Sequence, residues 1–162
     1  AVVRFALLID DPHELALALE LSEYGRRLDP QYQYPGVEPF VDTYPAHALF
    51  FKALLGQDPE ASLAYFRERA EALAGTENGP GAAEVYVALL ARMGRYAEAL
   101  EASAALIPPG TRTAHFAPSL LELARLAGRY DRLKEVCRSR GDVLGFVAGL
   151  VEDKLQHPQA AT

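Results

Sequence analysis

The chain has no tryptophan, one methionine and one cysteine, Cys137. A lone cysteine excludes an intramolecular disulfide and a cysteine-based zinc cluster. It is compatible with a cytoplasmic location. Basic residues are also in the minority: 16 against 22 acidic ones leave a net charge of −6. The whole-molecule field therefore repels nucleic-acid backbones and anionic lipid surfaces, and no nucleic-acid partner is expected. Long apolar runs are missing too. Glu14, Glu20 and Glu23 interrupt the greasiest segment, well short of the roughly 18 residues a membrane span needs, so no membrane insertion is expected.

The signatures of chemistry are equally sparse. Histidines stand at 13, 47, 115 and 157, with no spacing that puts two on one helical face. There is no Gly-x-Ser-x-Gly elbow, and the glycine-rich run from Gly75 to Gly81 has no lysine or Ser/Thr in a phosphate-loop pattern. No catalytic residue, cofactor or metal is expected. Cys137 falls on the apolar side of its segment with Leu133 and Val136 and reads as packing.

What is present is globular. Half of the 162 residues are hydrophobic and 23% are charged, enough for one core without staples. Helix punctuation recurs along the chain. Ala1 to Ile9 is an apolar stretch without a basic leader, an initiator Met or a capping residue before it, and reads as a helix cut from a longer or processed polypeptide. Asp11-Pro12-His13-Glu14 opens a helix as a capping box, and the helix is expected to run to Leu28. Its apolar residues form two adjoining stripes, which suits a helix packed between neighbours. Residues 29–40 carry three prolines and a glycine and form an irregular connection. Helix resumes near Pro45 and ends at Gly56. Asp58-Pro59-Glu60 starts the next helix, whose stripe of Leu63, Phe66, Ala70 and Leu73 closes before Gly75.

The segments that follow repeat. Ala91-Arg-Met-Gly94-Arg-Tyr96-Ala-Glu-Ala99-Leu100 lies over Arg125-Leu-Ala-Gly128-Arg-Tyr130-Asp-Arg-Leu133-Lys134, and Gly94 and Gly128 stand 34 positions apart. In each copy the glycine lets one helix end left-handed, and the tyrosine two residues on packs into the inter-helix angle. Period and turn together resemble the tetratricopeptide repeat (TPR) family. The resemblance covers residues 81–140. Leu133 stands where Ala99 supplies the small residue of the second helix, the usual tryptophan is absent, and Pro108-Pro109 come early. Gly56 marks a weaker upstream copy. The resemblance implies an all-α fold, a right-handed TPR-like superhelix of antiparallel hairpins with about eight or nine helices; helix spacing extends it upstream, and from the chain length residues 1–155 are expected to form a single domain. Residues 142–155, with Val143, Phe146, Val147, Leu150, Val151 and Leu155, are expected to be a capping helix, and 156–162 a flexible tail.

A TPR-like array implies a protein or peptide partner. The groove-facing positions that the resemblance implies are Glu84, Ala88 and Arg92 in one repeat and Ser119, Glu122 and Arg125 in the next, a mixed set that is not a clamp for a C-terminal carboxylate. Tyr32, Tyr34, Phe40 and Tyr44 gather in the irregular connection, either to seal it against the helices or to contact a partner. Candidate partner-binding residues are thus Tyr32, Tyr34, Tyr44, His47, Glu84, Arg92, Glu122 and Arg125. A basic cluster from Arg125 to Arg140 is a further candidate for an acidic partner. The expected function is a protein-interaction or assembly module, part of a larger protein. The alternative is a ligand-binding or enzymatic domain built on a polar pocket of Asp42, Thr43, Tyr44 and His47, and a third reading is a structural spacer or homodimer.

Overall fold

The computed structural model describes residues 6–30, 43–111 and 117–157. Among them are eight helices and no strand: α1 (Pro12–Leu28), α2 (Tyr44–Leu54), α3 (Pro59–Ala72), α4 (Gly79–Arg92), α5 (Tyr96–Leu106), α6 (Leu120–Ala127), α7 (Tyr130–Arg140) and α8 (Val143–Gln156). Each helix packs on the next in sequence. Next-but-one contacts join α2 to α4 and α6 to α8. The expected all-α class holds. Tyr32, Tyr34, Phe40 and Asp42, the first five residues of the helix read at Ala1 to Ile9, and the tail from Pro158 lie outside the described residues, while Gln156, read as the start of the tail, still belongs to α8.

Helix starts follow the capping residues, with differences in detail. Asp11 accepts from the His13 N–H at 2.8 Å, and Thr43 Oγ1 accepts from the Ala46 N–H at 3.3 Å. Asp58 precedes α3 as expected, but it sits left-handed at φ 47° and makes no side-chain cap bond. A reciprocal capping box occurs elsewhere, at Ser119 and Glu122 of α6. Gly79 and Pro80, read as loop, open α4, where a proline in the first turn loses no helical hydrogen bond.

The turns at Gly94 and Gly128 share one hydrogen-bond pattern. At Gly94 (φ 75°) the Arg95 N–H donates to Leu90 O at 2.9 Å and the Gly94 N–H to Ala91 O at 3.0 Å. At Gly128 (φ 64°) the Arg129 N–H donates to Ala124 O at 2.9 Å and the Gly128 N–H to Arg125 O at 3.3 Å. Every partner is displaced by 34 positions. This paired closure satisfies carbonyls that a helix end otherwise leaves open, and it requires positive φ at the glycine.

The core runs through the middle of the array. Leu89, Leu90 and Val87 of α4, Leu100 of α5, Leu123 of α6 and Leu133 of α7 are almost fully buried, with Phe50 and Phe66 stacked edge to face at 5.7 Å between α2 and α3. Each such side chain contributes about 1.5–3 kcal/mol of burial. Leu133, the departure from the small-residue position, is accommodated by α8. Gly149 faces it so closely that a Cβ there would meet Leu133 Cδ2 at 3.0 Å.

Exposed large hydrophobics concentrate at the two ends of the array. Leu17, Leu21, Tyr24 and Leu28 line the outside of α1, and Val143, Leu144, Val147, Leu150, Val151 and Leu155 line α8. The second stripe of α1, read as packing against a neighbour, meets none among the described residues. Helix α8 does pack on α7 through Gly145 and Gly149. Its outer face, however, is apolar, whereas a terminal cap usually presents a polar one.

Candidate functional site

A groove of about 460 Å³ opens between α3 and α5, with Tyr86 of α4 also in its lining. Arg67 and Glu71 stand on the α3 side. The α5 side is made of Ala97, Glu98, Glu101, Ala102, Ala105 and Leu106, and Arg129 stands where α7 begins. Alanines at these positions leave room that larger side chains would fill. Tyr86 is half-buried, and desolvation pushes its hydroxyl above the ordinary value, so it remains a protonated donor and acceptor.

Two arginines neutralise the acidic wall. Arg95 grips Glu98 with Nε and Nη2, both at 2.6 Å, and reaches Glu60 of α3 with Nη1 at 2.6 Å. The hydrogen bond to Glu98, followed by the neighbouring charges, raises the arginine and lowers the glutamate. Arg132 holds both oxygens of Glu101 across from α7, with Nη2 at 2.7 Å from Oε2, and bonds Glu135 at 2.7 Å. Such planar two-pronged pairs fix geometry as well as charge. Each arginine also staples one hairpin to the next. Arg67 approaches Glu71 only to 3.9 Å, and Arg129 has no ion-pair partner among the described residues. The groove therefore combines an apolar floor, two occupied carboxylates and an unpaired cation.

The sequence candidates are distributed over other faces. The ring of Tyr44 lies flat on Gly25 of α1, where an added Cβ would fall 2.5 Å from a ring carbon, so it seals the α1–α2 junction. His47 is buried and meets the Tyr44 ring edge-on at 6.4 Å. Glu84, itself buried, lines a cavity of about 300 Å³ together with Ser119, Glu122 and Arg140. Glu122 is committed to its capping box: Oε2 accepts from the Ser119 N–H and hydroxyl, both at 2.8 Å. The backbone bond, then the hydroxyl, holds its carboxyl below the ordinary value. Arg92 donates to Ile9 O at 3.2 Å and pairs with the Asp10 carboxylate. With Ala88 it lines a separate cavity of about 330 Å³. Arg125 is exposed and lines none of these cavities.

Most of the basic cluster is used internally. Besides Arg132, Lys134 pairs with Asp131 and Asp153, both at 2.7 Å, and Arg138 lies 5.1 Å over the Phe146 ring. Arg140 donates to the carbonyls of Ser103, Ala104 and Ile107, closing the C-terminus of α5. Arg125 and Arg129 are the members left over. Cys137 is buried beside Asp142, with Sγ 3.8 Å from Oδ2; burial first, and the carboxylate second, keep its thiol protonated. Among the described residues no group of three or more His, Cys, Asp or Glu is placed to hold a metal ion, and no helix is long and apolar enough to cross a membrane.

Comparison with protein-family models, curated proteins and solved structures finds no match. Sequence reasoning missed the α3–α5 groove because Arg67, Tyr86 and Arg129 are distant in sequence. The signal it offered was the alanine-rich outer side of α5, Ala97, Ala102 and Ala105.

Proposed function

We propose that this chain is a protein-interaction module of the TPR-like kind, whose helical hairpins present the α3–α5 groove to an extended or helical segment of a partner protein. The observation that carries the reading is the lining of that groove. Its apolar floor accepts bulky side chains, its carboxylates Glu98 and Glu101 are already neutralised by Arg95 and Arg132, and Arg129 stands ready for an acidic residue. The identical hydrogen-bonded closures at Gly94 and Gly128 support the repeat interpretation. Short turns and neighbour-to-neighbour packing are what a superhelix of hairpins needs. The module acts by binding and requires no reacting group.

Filling the groove tests this. Ala105→Arg places a long side chain at an exposed position of α5 and leaves the core untouched. Proteins captured from a cell extract by the wild-type chain are expected to be lost with Ala105→Arg, and reduced with Arg129→Glu. An unchanged set of captured proteins with both variants would exclude the groove as the binding surface.

A further inference from the structure

The outer face of α1 is apolar and symmetric along its length. Leu17, Leu21, Tyr24 and Leu28 recur at spacings of four, three and four, which read the same in both directions, and each is between 53% and 68% exposed. A helix with this spacing meets its own copy, turned end for end, in register: Leu17 faces Leu28 of the second copy, and Leu21 faces Tyr24. Large exposed apolar patches of this kind mark association surfaces.

Charge placement agrees with that register. Glu20 and Arg27 lie two helical turns apart on the same flank of the stripe. Across a two-fold axis between Leu21 and Tyr24, Glu20 of one copy comes within about 3 Å along the axis of Arg27 of the other. Neither has an ion-pair partner among the described residues, and Arg27 rests 5.9 Å from the Tyr24 ring. Glu23, between them on that flank, is already used by Lys52 at 2.9 Å and Arg26 at 2.7 Å. The exposed face of α8 lacks the charge pairing: Glu152, Asp153 and Lys154 all stand near its C-terminal end, so a copy laid end for end along the helix would bring no acid opposite the lysine.

We infer that the occupant of the α1 face is a second copy of this chain, paired antiparallel through Leu17, Leu21, Tyr24 and Leu28 and flanked by two Glu20–Arg27 pairs. The two-fold pairing closes on itself, so it yields a dimer and no filament. It is separate from the α3–α5 groove, and either reading can fail without the other.

Sedimentation velocity across a concentration series tests the pairing. The wild-type chain is expected to shift from monomer to dimer as concentration rises. Leu21→Glu, at an exposed site, should abolish the shift while far-UV circular dichroism stays unchanged. Glu20→Arg and Arg27→Glu should each weaken dimerisation, on the order of tenfold, because like charges then face each other. The double variant should restore it. A wild-type monomer at every concentration would overturn the inference. So would a dimer indifferent to both charge reversals, or one dissolved by Leu144→Glu and not by Leu21→Glu, which would place the contact on α8.

Discussion

At the scale of single residues, the informative positions are those where a side chain is tolerated only because a neighbour gives way. Leu133 stands five residues after Gly128, as Ala99 does after Gly94, and both are buried. The extra bulk fits because Gly149 of α8 has no Cβ to meet it. Gly149→Val is therefore expected to cost about 1–3 kcal/mol through overpacking. Leu133→Ala alone leaves a cavity and costs about 2–5 kcal/mol. The double variant should lose less than the sum, and chemical denaturation of all four proteins measures that coupling. Strict additivity would show that the two residues do not share the space. Glu122 makes a related point. Its position matched a groove-facing one, yet its carboxylate is spent on the α6 cap. Ser119→Ala should lower the denaturation free energy by about 1 kcal/mol, the usual worth of an N-cap.

At the scale of elements, the turn glycines and the ion pairs decide how helices are joined. Gly94 and Gly128 are left-handed, a conformation that costs an L-residue roughly 1–2 kcal/mol. Gly94→Ala and Gly128→Ala should each destabilise by about that amount, whereas Gly81→Ala, in open space in the first turn of α4, should be neutral or stabilising. Equal effects at all three sites in thermal melts would contradict the turn assignment. The pairs predict a pH response. Hydrogen bonds from Lys52 to Glu23, from Arg95 to Glu98 and from Ser119 to Glu122 hold these carboxyls below their ordinary value of 4.5. A depressed folded value stabilises above the unfolded one and is lost as pH falls through the folded value. The urea midpoint should therefore be level above about pH 5 and decline as pH drops below 4.5. Lys134 has the opposite sign: Asp131 and then Asp153 raise it, so its contribution is complete below the ordinary lysine value and lost in strong alkali.

Much at this scale was legible in the sequence, for a physical reason. Helix starts and stops depend on residues within a few positions of each other, so Pro12, Pro45, Gly56, Gly94, Gly128 and Asp142 announce boundaries locally. The capping box at Ser119 and Glu122 was equally local and was read instead as a pair of groove positions. Asp58 shows the opposite failure: an aspartate before a proline signals a cap, but its left-handed backbone turns the carboxylate away from that role. Which stripe of α1 is covered was not legible, because it depends on where α2 lies.

At the scale of the molecule, the helices form a chain of neighbours, each held chiefly by the one before and the one after. Stability in such an array is uneven. Helices α4 and α5 have neighbours on both sides and contain the most deeply buried residues, whereas α1 and α8 leave whole faces open. Hydrogen–deuterium exchange should find the amides of α4 and α5 slowest and those of α8 fastest among the long helices. Uniform protection from α2 to α8 would mean that the array opens as one unit and not from its ends.

The amino-acid sequence by itself determined the helical class, most helix boundaries and the 34-residue recurrence of the turns, because capping, glycine φ and apolar periodicity act over one or two helical turns. Tertiary structure alone decided the rest. It spent most of the basic cluster on α5 carbonyls and neighbouring carboxylates, and it buried Glu84 and His47. It also assembled a groove from Arg67, Tyr86, Ala105 and Arg129 and left the α1 stripe bare. Those outcomes depend on which distant surfaces meet, and no local pattern carries that information.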